Sequence, residues 1–130
     1  MERPLRVAVI GCGAIAQMMH LPTLGERPDL FTITGLADID RATLDAVGKR
    51  YHVTRRATDF HELLSDPQAE AILVLASGGH RKFVLPALAA GKHVFVEKPL
   101  ALTVEDADAV IGASERAGRM LMVGLVLRFW

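Results

Sequence analysis

A glycine-rich turn between an apolar strand and a helix is the feature that most constrains this chain. The apolar run Leu5–Ile10 has the character of a buried β-strand, and apolar residues at helical spacing follow the turn. The turn itself is Gly11-Cys12-Gly13-Ala14-Ile15-Ala16, which matches the pattern G-x-G-x-x-G/A. In this strand–turn–helix context the pattern predicts a site for the pyrophosphate of a dinucleotide.

Each small residue of the turn has its own physical role. Gly11 permits a tight turn that a Cβ would obstruct, Gly13 lets the backbone approach a phosphate closely, and Ala16 lets the helix pack near the strand. The amides of the first helical turn face the phosphates, and the helix dipole adds attraction. We therefore predict that the cofactor is bound by Gly11, Gly13, Ala14, Ile15 and Ala16.

The rest of the chain alternates strand-like and helix-like segments, which is typical of a parallel α/β sheet. Further strands are predicted at Phe31–Ala37, Val53–Ala57, Ala71–Ala76, His93–Val96 and Met120–Gly124, the last extending towards Leu127. Helices are predicted at Ala14–Leu24, Arg41–Tyr51, His80–Ala90 and Val104–Ala117. Six parallel strands with helical crossovers predict a doubly wound Rossmann sheet in the order 3-2-1-4-5-6.

Local signals set the expected ends of these helices. Asp40 and Thr103 are predicted N-caps, and Gly91 and Gly118 are predicted to stop the helices before them. Pro22 is expected to kink or end the first helix. Asp59 and Glu62 are expected to open a further short helix as a capping box.

The acidic residue Asp38 follows the second predicted strand, 25 positions after Gly13. A carboxylate there accepts hydrogen bonds from the hydroxyls of the adenosine ribose, and it repels the 2′-phosphate of NADP. Asp38 therefore favours NAD, whereas Arg41 nearby could hold a 2′-phosphate and leaves NADP open. The alternative is that Asp38 only begins an Asp-Ile-Asp turn and caps the next helix.

Composition narrows the class of protein. A chain of 130 residues that is 51% apolar and 23% charged is typical of one globular domain. With 15 basic and 15 acidic residues the formal net charge is zero, so we expect no nucleic-acid partner. No apolar run approaches the roughly 20 residues needed to span a bilayer, and we expect no membrane association.

Cysteine and histidine usage bears on compartment and metal binding. The single cysteine, Cys12, excludes an internal disulfide and fits a reducing compartment, so we expect a cytoplasmic protein. Cys12 itself is interpreted as a packing residue rather than a nucleophile. We expect no metal site, because the spacing of zinc ligands is absent from the histidines His20, His52, His61, His80 and His93.

Three segments make the chain resemble the amino-terminal domain of the glucose–fructose oxidoreductase, inositol dehydrogenase and rhizopine-catabolism (Gfo/Idh/MocA) oxidoreductases. They are the turn Val9–Ala16 with His20-Leu21-Pro22 after it, the string Ala89–Ala101, and Val123-Gly124 followed by Arg128-Phe129. The string contains the specific pattern Gly-Lys-His-Val-x-x-Glu-Lys-Pro. The resemblance covers essentially the whole chain, and it implies an NAD(P)-dependent dehydrogenase or reductase of sugars, polyols or related substrates.

The resemblance also implies a site at the end of the fifth strand, where Glu97, Lys98 and Pro99 would lie beside the nicotinamide. The Lys98 ammonium would be the catalytic group, binding the reacting substrate oxygen or the nicotinamide ribose and stabilising a developing alkoxide. Glu97 is expected in the same site, with a structural role in orienting Lys98 as the alternative. The Lys98–Pro99 peptide is a candidate for the cis form.

The loop after the fourth strand departs from the family pattern. The family usually has Thr-Pro and a polar residue, and a histidine after two further positions, whereas this chain has Ala76-Ser77-Gly78-Gly79-His80. Ser77 is expected to offer its hydroxyl and backbone to the nicotinamide ribose, and the two glycines are expected to make the loop more mobile. His80 matches the family histidine and is predicted to contribute to the cofactor site, where a structural role at the start of its helix is favoured over an acid–base role.

The family continues into a second α/β domain that supplies substrate contacts, and this chain ends at Phe129-Trp130, where that domain would begin. We therefore interpret residues 1–130 as the NAD(P)-binding domain, with the substrate domain absent. The isolated chain is expected to bind NAD weakly and to turn over no substrate, and the full-length protein is expected to be a homo-oligomer.

Two other classes of protein remain open. A non-catalytic dinucleotide-sensing regulator would keep the fold and the glycine turn without needing the Glu97-Lys98-Pro99 segment. An S-adenosylmethionine methyltransferase shares the sheet and the acid after the second strand, but its glycine loop usually has the pattern G-x-G-x-G. In this chain Ile15 occupies the position of the third glycine of that pattern.

Overall fold

Six parallel strands form one sheet in a computed structural model that describes residues 2–129. The strands are β1 (Leu5–Ile10), β2 (Phe31–Ala37), β3 (Arg56–Ala57), β4 (Ala71–Val74), β5 (His93–Glu97) and β6 (Leu121–Gly124). Their order, β3-β2-β1-β4-β5-β6, confirms the predicted doubly wound sheet. The order reverses between β1 and β4, and sheets of this kind bind ligands in the crevice beyond the carboxyl ends of such strands.

Helical segments connect consecutive strands. They are a π-helical turn (Ala16–His20) running into α1 (Leu21–Glu26), then α2 (Arg41–Arg50), α3 (His61–Leu64), α4 (Arg81–Ala89) and α5 (Val104–Ala117), with a final 3₁₀ turn (Val126–Phe129). In the described part of the chain, none of these helices has the length and apolar character to cross a bilayer. Met1 and Trp130 lie outside the described residues, so part of the expected domain junction at Phe129-Trp130 lies outside them too.

The sheet separates two apolar layers. Side chains alternate between the two faces of a strand, so Val7 and Val9 of β1 enter one layer while Ala8 and Ile10 enter the other. The first layer is completed by α1 and α2, and the second by α3, α4 and α5. Residues 7–10 of β1 and all of β4 are buried, which explains the continuous apolar sequence of both segments.

The predicted helix signals hold at the ends of α2, α4 and α5. Asp40 accepts a hydrogen bond from the Ala42 amide at 3.1 Å, and Thr103 accepts one from the Asp106 amide at 3.0 Å. Gly91 and Gly118 follow their helices at φ +78° and +62°, in the left-handed region that glycine adopts without strain.

Pro22 does not end the first helix. The chain is helical from 14 to 26, and Pro22 lies in the first turn of α1. The preceding π-helical turn is wider than an α-turn, since the Leu21 amide donates to Ala16 O, five residues back. This wide turn absorbs the mismatch that the missing N–H and the ring of a proline create inside a helix.

Several predicted element ends were wrong because tertiary pairing sets them. Strand β3 has only two residues, since it pairs only with Leu36 and Ala37 of β2. Strand β6 stops at Gly124, which pairs with Glu97 at the end of β5, and the chain then turns instead of extending to Leu127. Strand β4 likewise ends at Val74, not at the predicted Ala76.

The capping box before α3 is absent. The helix begins at His61, and the Asp59 carboxylate accepts the His61 amide at 3.0 Å. The N-cap is Phe60 and not Asp59, so Glu62 is the second helical residue, whereas a capping box needs the glutamate at the third.

Candidate functional site

The glycine turn after β1 packs directly against the end of β4. Gly11 has φ +97°, and a Cβ there would lie 2.5 Å from the backbone nitrogen of Ala76, so only glycine fits. A Cβ at Gly13 would meet nothing within 4 Å, which shows open space at that position. Among the described residues, no acceptor is bonded to the amides of Gly13, Ala14 or Ile15. Free donors beside open space at a helix start suit a phosphate.

Asp38, at the end of β2, lies beside this turn as predicted. Its Oδ2 accepts a hydrogen bond from the Cys12 amide at 2.8 Å, and its Oδ1 accepts one from the Asp40 amide at 2.8 Å. A carboxylate has about four lone-pair sites, so each oxygen retains capacity for a further donor such as a ribose hydroxyl. The carboxylate is thus held in place by the backbone while part of it remains exposed.

Arg41 is the residue that could hold the 2′-phosphate of NADP. In the structure its side chain is paired with another residue of its own helix. Its Nε lies 3.3 Å from Oδ2 of Asp45, one turn further along α2. Both side chains are about half exposed or more, so the pair contributes only about 0.3–0.5 kcal/mol and opens easily.

A cleft of about 620 Å³ extends from the glycine turn across the ends of β2 and β4 to the start of α4. Its far wall is aromatic, with the rings of Phe60 and Phe83 packed edge to face at 4.9 Å. The ammonium of Lys82 lies 5.0 Å from the centre of the Phe83 ring. Sequence reasoning did not identify these three residues as cleft residues, because they follow no motif and meet only through the packing of α3 against α4.

A second cleft of about 350 Å³ continues from the first, since Ile15, Leu75, Ala76 and Ser77 line both. The rest of its wall comes from the loop before α4 and from the end of β5 with the two residues after it: Gly78, His80, Glu97, Lys98 and Pro99. The structure therefore brings together the predicted residues Ser77, His80, Glu97 and Lys98. The Lys98–Pro99 peptide is cis.

Lys98 presents a free ammonium to this second cleft. The residue is exposed, and within the described chain no hydrogen bond or ion pair involves its Nζ. Its backbone, by contrast, is held, because its amide donates to Oε2 of Glu97 at 3.0 Å. A fixed backbone with an uncommitted ammonium can bind an oxygen of a ligand.

Glu97 is committed to protein partners through both oxygens. Oε1 lies 2.8 Å from Nε2 of His20, and Oε2 accepts the Lys98 amide. The His20 ring packs edge to face on Phe95 at 5.4 Å. This arrangement favours the orienting role that the sequence left open for Glu97, and it gives His20 a partner that sequence reasoning missed.

His80 forms part of the cleft wall and is only 3% exposed. Its Nδ1 lies 2.7 Å from Pro99 O, and its Nε2 lies 2.8 Å from Ala76 O. Neither ring nitrogen is free for a ligand, which agrees with the structural role that the sequence favours for this residue.

Cys12 is buried inside the glycine turn. Burial, with a smaller contribution from the charge of Asp38, raises the pKa of its thiol to about 12. The side chain is therefore a neutral packing group near neutral pH, in line with its interpretation as a packing residue.

Comparison with known proteins agrees with this geometry. Residues 5–125 match the Gfo/Idh/MocA oxidoreductase family, described as having an NAD-binding Rossmann fold. The chain is 38% identical over 128 residues to an inositol 2-dehydrogenase of Paracoccus denitrificans, a match that covers 96% of this chain and 38% of that protein.

Two solved structures are similar in fold. A probable dehydrogenase from Thermotoga maritima superposes with a TM-score of 0.90 at 34% identity, over 96% of this chain and 37% of that one. KijD10, a 3-ketoreductase from Actinomadura kijaniata in complex with NADP and TDP-benzene, superposes with a TM-score of 0.87 at 30% identity, over 94% and 37%.

Proposed function

The chain belongs to the Gfo/Idh/MocA oxidoreductase family, and from this premise we propose that it forms the cofactor-binding part of an enzyme that transfers hydride to or from a sugar, polyol or related substrate. The observation that carries the proposal is the continuity of the two clefts. One contains the glycine turn and Asp38, and the other contains Lys98, so a single extended ligand can reach all three.

The residues present fit a nicotinamide dinucleotide. The open space at Gly13 and the free amides beside it suit the pyrophosphate, and Asp38 suits the adenosine ribose. The second cleft, with Ser77 and Lys98, is then left for the nicotinamide end. When bound, the nicotinamide supplies the hydride acceptor or donor.

We infer that NAD is the preferred cofactor, with NADP as the alternative. The carboxylate of Asp38 is held by two amides, so it cannot easily turn away from a 2′-phosphate, and like charges repel there. Arg41 is turned towards Asp45, although that exposed pair is weak enough to release it. NADP is kept as the alternative because KijD10, which is 30% identical to this chain, was solved in complex with NADP.

Lys98 is proposed as the catalytic residue of this chain. Its ammonium donates a hydrogen bond to the reacting oxygen, where it stabilises negative charge that develops as a hydroxyl is oxidised or a carbonyl is reduced. Donors aimed at such charge in a site shielded from water typically account for a factor of about 10²–10³ in rate.

The chain spans 38% of the length of the curated relative from Paracoccus denitrificans. We propose that residues 1–130 are the cofactor domain, and that a further domain of the full-length protein supplies the substrate contacts. The name of the Paracoccus denitrificans relative points to inositols within the proposed class of sugar, polyol or related substrates. A homo-oligomeric state and a cytoplasmic location belong to the same proposal.

Titration of the purified chain with NADH and with NADPH, followed by nicotinamide fluorescence, tests the proposal. We expect saturable binding of NADH, weaker binding of NADPH, and no competition by S-adenosylmethionine. A folded chain that takes up neither coenzyme at saturating concentrations would overturn it.

A further inference from the structure

Both ring nitrogens of His80 face backbone carbonyl oxygens inside the fold. Nδ1 lies 2.7 Å from Pro99 O, Nε2 lies 2.8 Å from Ala76 O, and the residue is 3% exposed. A carbonyl oxygen can only accept, so each contact is a hydrogen bond only when that nitrogen carries a hydrogen. Neutral imidazole has one N–H and imidazolium has two, so both contacts are hydrogen bonds only when the ring is doubly protonated.

Neutral His80 would leave one lone pair of the ring against a lone pair of a carbonyl at hydrogen-bond distance. Since the ring is buried, water cannot easily enter to separate them. No buried side-chain nitrogen or oxygen among the described residues lacks a hydrogen-bond partner. An unsatisfied ring nitrogen in His80 would therefore be an exception in this fold.

Charged groups line the cleft and the neighbouring helices, and among the described residues the Lys98 ammonium has no ion-pair partner. Glu97 and Lys98 line the same cleft from the end of β5, and the Glu97 carboxylate is shared with His20. On α4 the adjacent Arg81 is paired with Asp106 of α5 at 2.8 Å. The two carbonyl dipoles are therefore the groups that directly contact and stabilise a positive charge on His80.

Lys98 lies between two residues that are each held by a histidine. On one side His20 binds Oε1 of Glu97 at 2.8 Å, and Oε2 of Glu97 accepts the Lys98 amide. On the other side Nδ1 of His80 lies 2.7 Å from Pro99 O. The two histidines belong to different segments, the π-helical turn before α1 and the residue that precedes α4.

We propose that His20 and a doubly protonated His80 are positioning residues that fix the backbone of Lys98 from both sides. Through its second bond, to Ala76 O, His80 also closes the Ser77–Gly79 loop, whose two glycines would otherwise leave it loose. The inference rests on the proposed function only for the catalytic role of Lys98. The hydrogen-bond arrangement stands without it.

The protonation of His80 is tested on the unmodified 130-residue chain by NMR with ¹⁵N-labelled histidine near neutral pH. The His80 signals are assigned by substituting the other four histidines one at a time. We expect both ring nitrogens to be protonated and both N–H protons to exchange slowly with water. A folded chain in which one His80 ring nitrogen is unprotonated overturns the proposal.

The positioning role is tested by hydrogen exchange at the Lys98 amide in H80F, H20F, H20Q and H52N. Glutamine in H20Q retains a donor for Glu97, and His52 is an exposed residue at φ +57° in the turn after α2, where asparagine is tolerated. We expect exchange roughly two- to thirteenfold faster in H80F and H20F, the range that follows from losing one ordinary hydrogen bond. Exchange in H20Q and H52N should be close to that of the original chain.

Exchange at the β1 amides separates a local effect from general destabilisation, since only the latter changes both regions. Equal Lys98 exchange in H80F, H20F and H52N overturns the proposal. If the original chain binds no coenzyme, the proposed function fails, while the protonation of His80 and the exchange at Lys98 still decide this inference.

Discussion

The carboxylate of Asp38 accepts a hydrogen bond from the Cys12 amide at 2.8 Å, which ties the end of β2 to the glycine turn after β1. Two strands that are neighbours in the sheet thus place a negative charge next to a row of unbonded amides. The amides suit a phosphate and the carboxylate suits a sugar hydroxyl, and these groups are neighbouring parts of one dinucleotide.

Removing the Asp38 side chain should weaken NADH binding. Hydrogen bonds to a charged group contribute about 1.5–3 kcal/mol, so we expect the Kd of D38A for NADH to rise by roughly 10- to 150-fold. D38N keeps the shape but loses the charge, and should raise the affinity for NADPH relative to NADH. Fluorescence titration measures both, with D29N as a control because Asp29 is paired with Arg27 on the surface. Identical Kd values in D38A and D29N would contradict the assignment.

The two glycines of the turn should respond differently to alanine. Gly11 has φ +97°, and a Cβ at this residue would collide with the backbone of Ala76. We therefore expect G11A to lower the free energy of unfolding by about 2–4 kcal/mol. A Cβ at Gly13 has room in the free chain, so G13A should fold normally and yet bind NADH more weakly, because the methyl group stands where the phosphate approaches. Urea unfolding and fluorescence titration of both variants check this. A G13A chain that is strongly destabilised, or that binds NADH unchanged, would contradict it.

Cys12 should be unreactive while the chain is folded. Its thiol has a pKa of about 12 in the fold against an ordinary 9.0, so the folded state favours the protonated form. The contribution of this thiol to the free energy of unfolding is fully present below about pH 9. It is lost as the pH rises towards 12, because the thiol of the unfolded chain ionises first. A thiol reagent at mildly alkaline pH should label the chain only in denaturant, and C12A should lose less stability on going to alkaline pH. Rapid labelling of the folded chain would refute this.

Glu70 should contribute to stability against acid. Bidentate hydrogen bonds from Arg3, followed by the Arg6 amide, hold the pKa of this carboxyl well below its ordinary 4.5. Because the pKa of Glu70 is lower in the folded chain than in the unfolded chain, its carboxylate stabilises the fold at pH values above the unfolded pKa. That contribution disappears as the pH falls below about 4.5 towards the pKa in the folded chain. The unfolding free energy of E70Q should therefore be lower than that of the original chain near neutral pH and should fall less on acidification. Parallel pH profiles for the two proteins would argue against it.

Replacing Lys98 should separate binding from chemistry. K98M removes the ammonium that is proposed to stabilise charge on the substrate oxygen, so hydride transfer in the full-length protein should fall by about 10²–10³. The affinity for NADH should change little if the glycine turn and Asp38 supply most of it. Single-turnover rates with polyol and sugar substrates, compared with the NADH Kd, distinguish the two effects. Undiminished turnover would remove Lys98 from the catalytic role.

Much of the fold was predictable because its signals are local. The cap of Asp40 on Ala42 and that of Thr103 on Asp106 each join residues within three positions of one another. The order of the sheet follows from the alternation of strands and helices, since parallel crossovers have one favoured hand. The glycine turn is equally local, because its pattern occupies six consecutive residues.

The composition of the clefts was less predictable, because it depends on which distant segments pack together. Phe60 precedes α3 and Phe83 lies in α4, and no spacing rule connects the two. The ends of β3 and β6 depend in the same way on where the partner strand stops.

The amino-acid sequence by itself determined the glycine turn, the strand order and the identity of the charged group at residue 98, because each depends on neighbouring residues or on a recognisable motif. Only the tertiary structure decided what holds that group. His20 meets Glu97 across 77 positions and His80 meets Pro99 across 19, and each hydrogen bond exists only after the strands and helices between them have packed. A hydrogen bond needs atoms within about 3 Å of each other, a condition that residue order alone leaves open for distant partners.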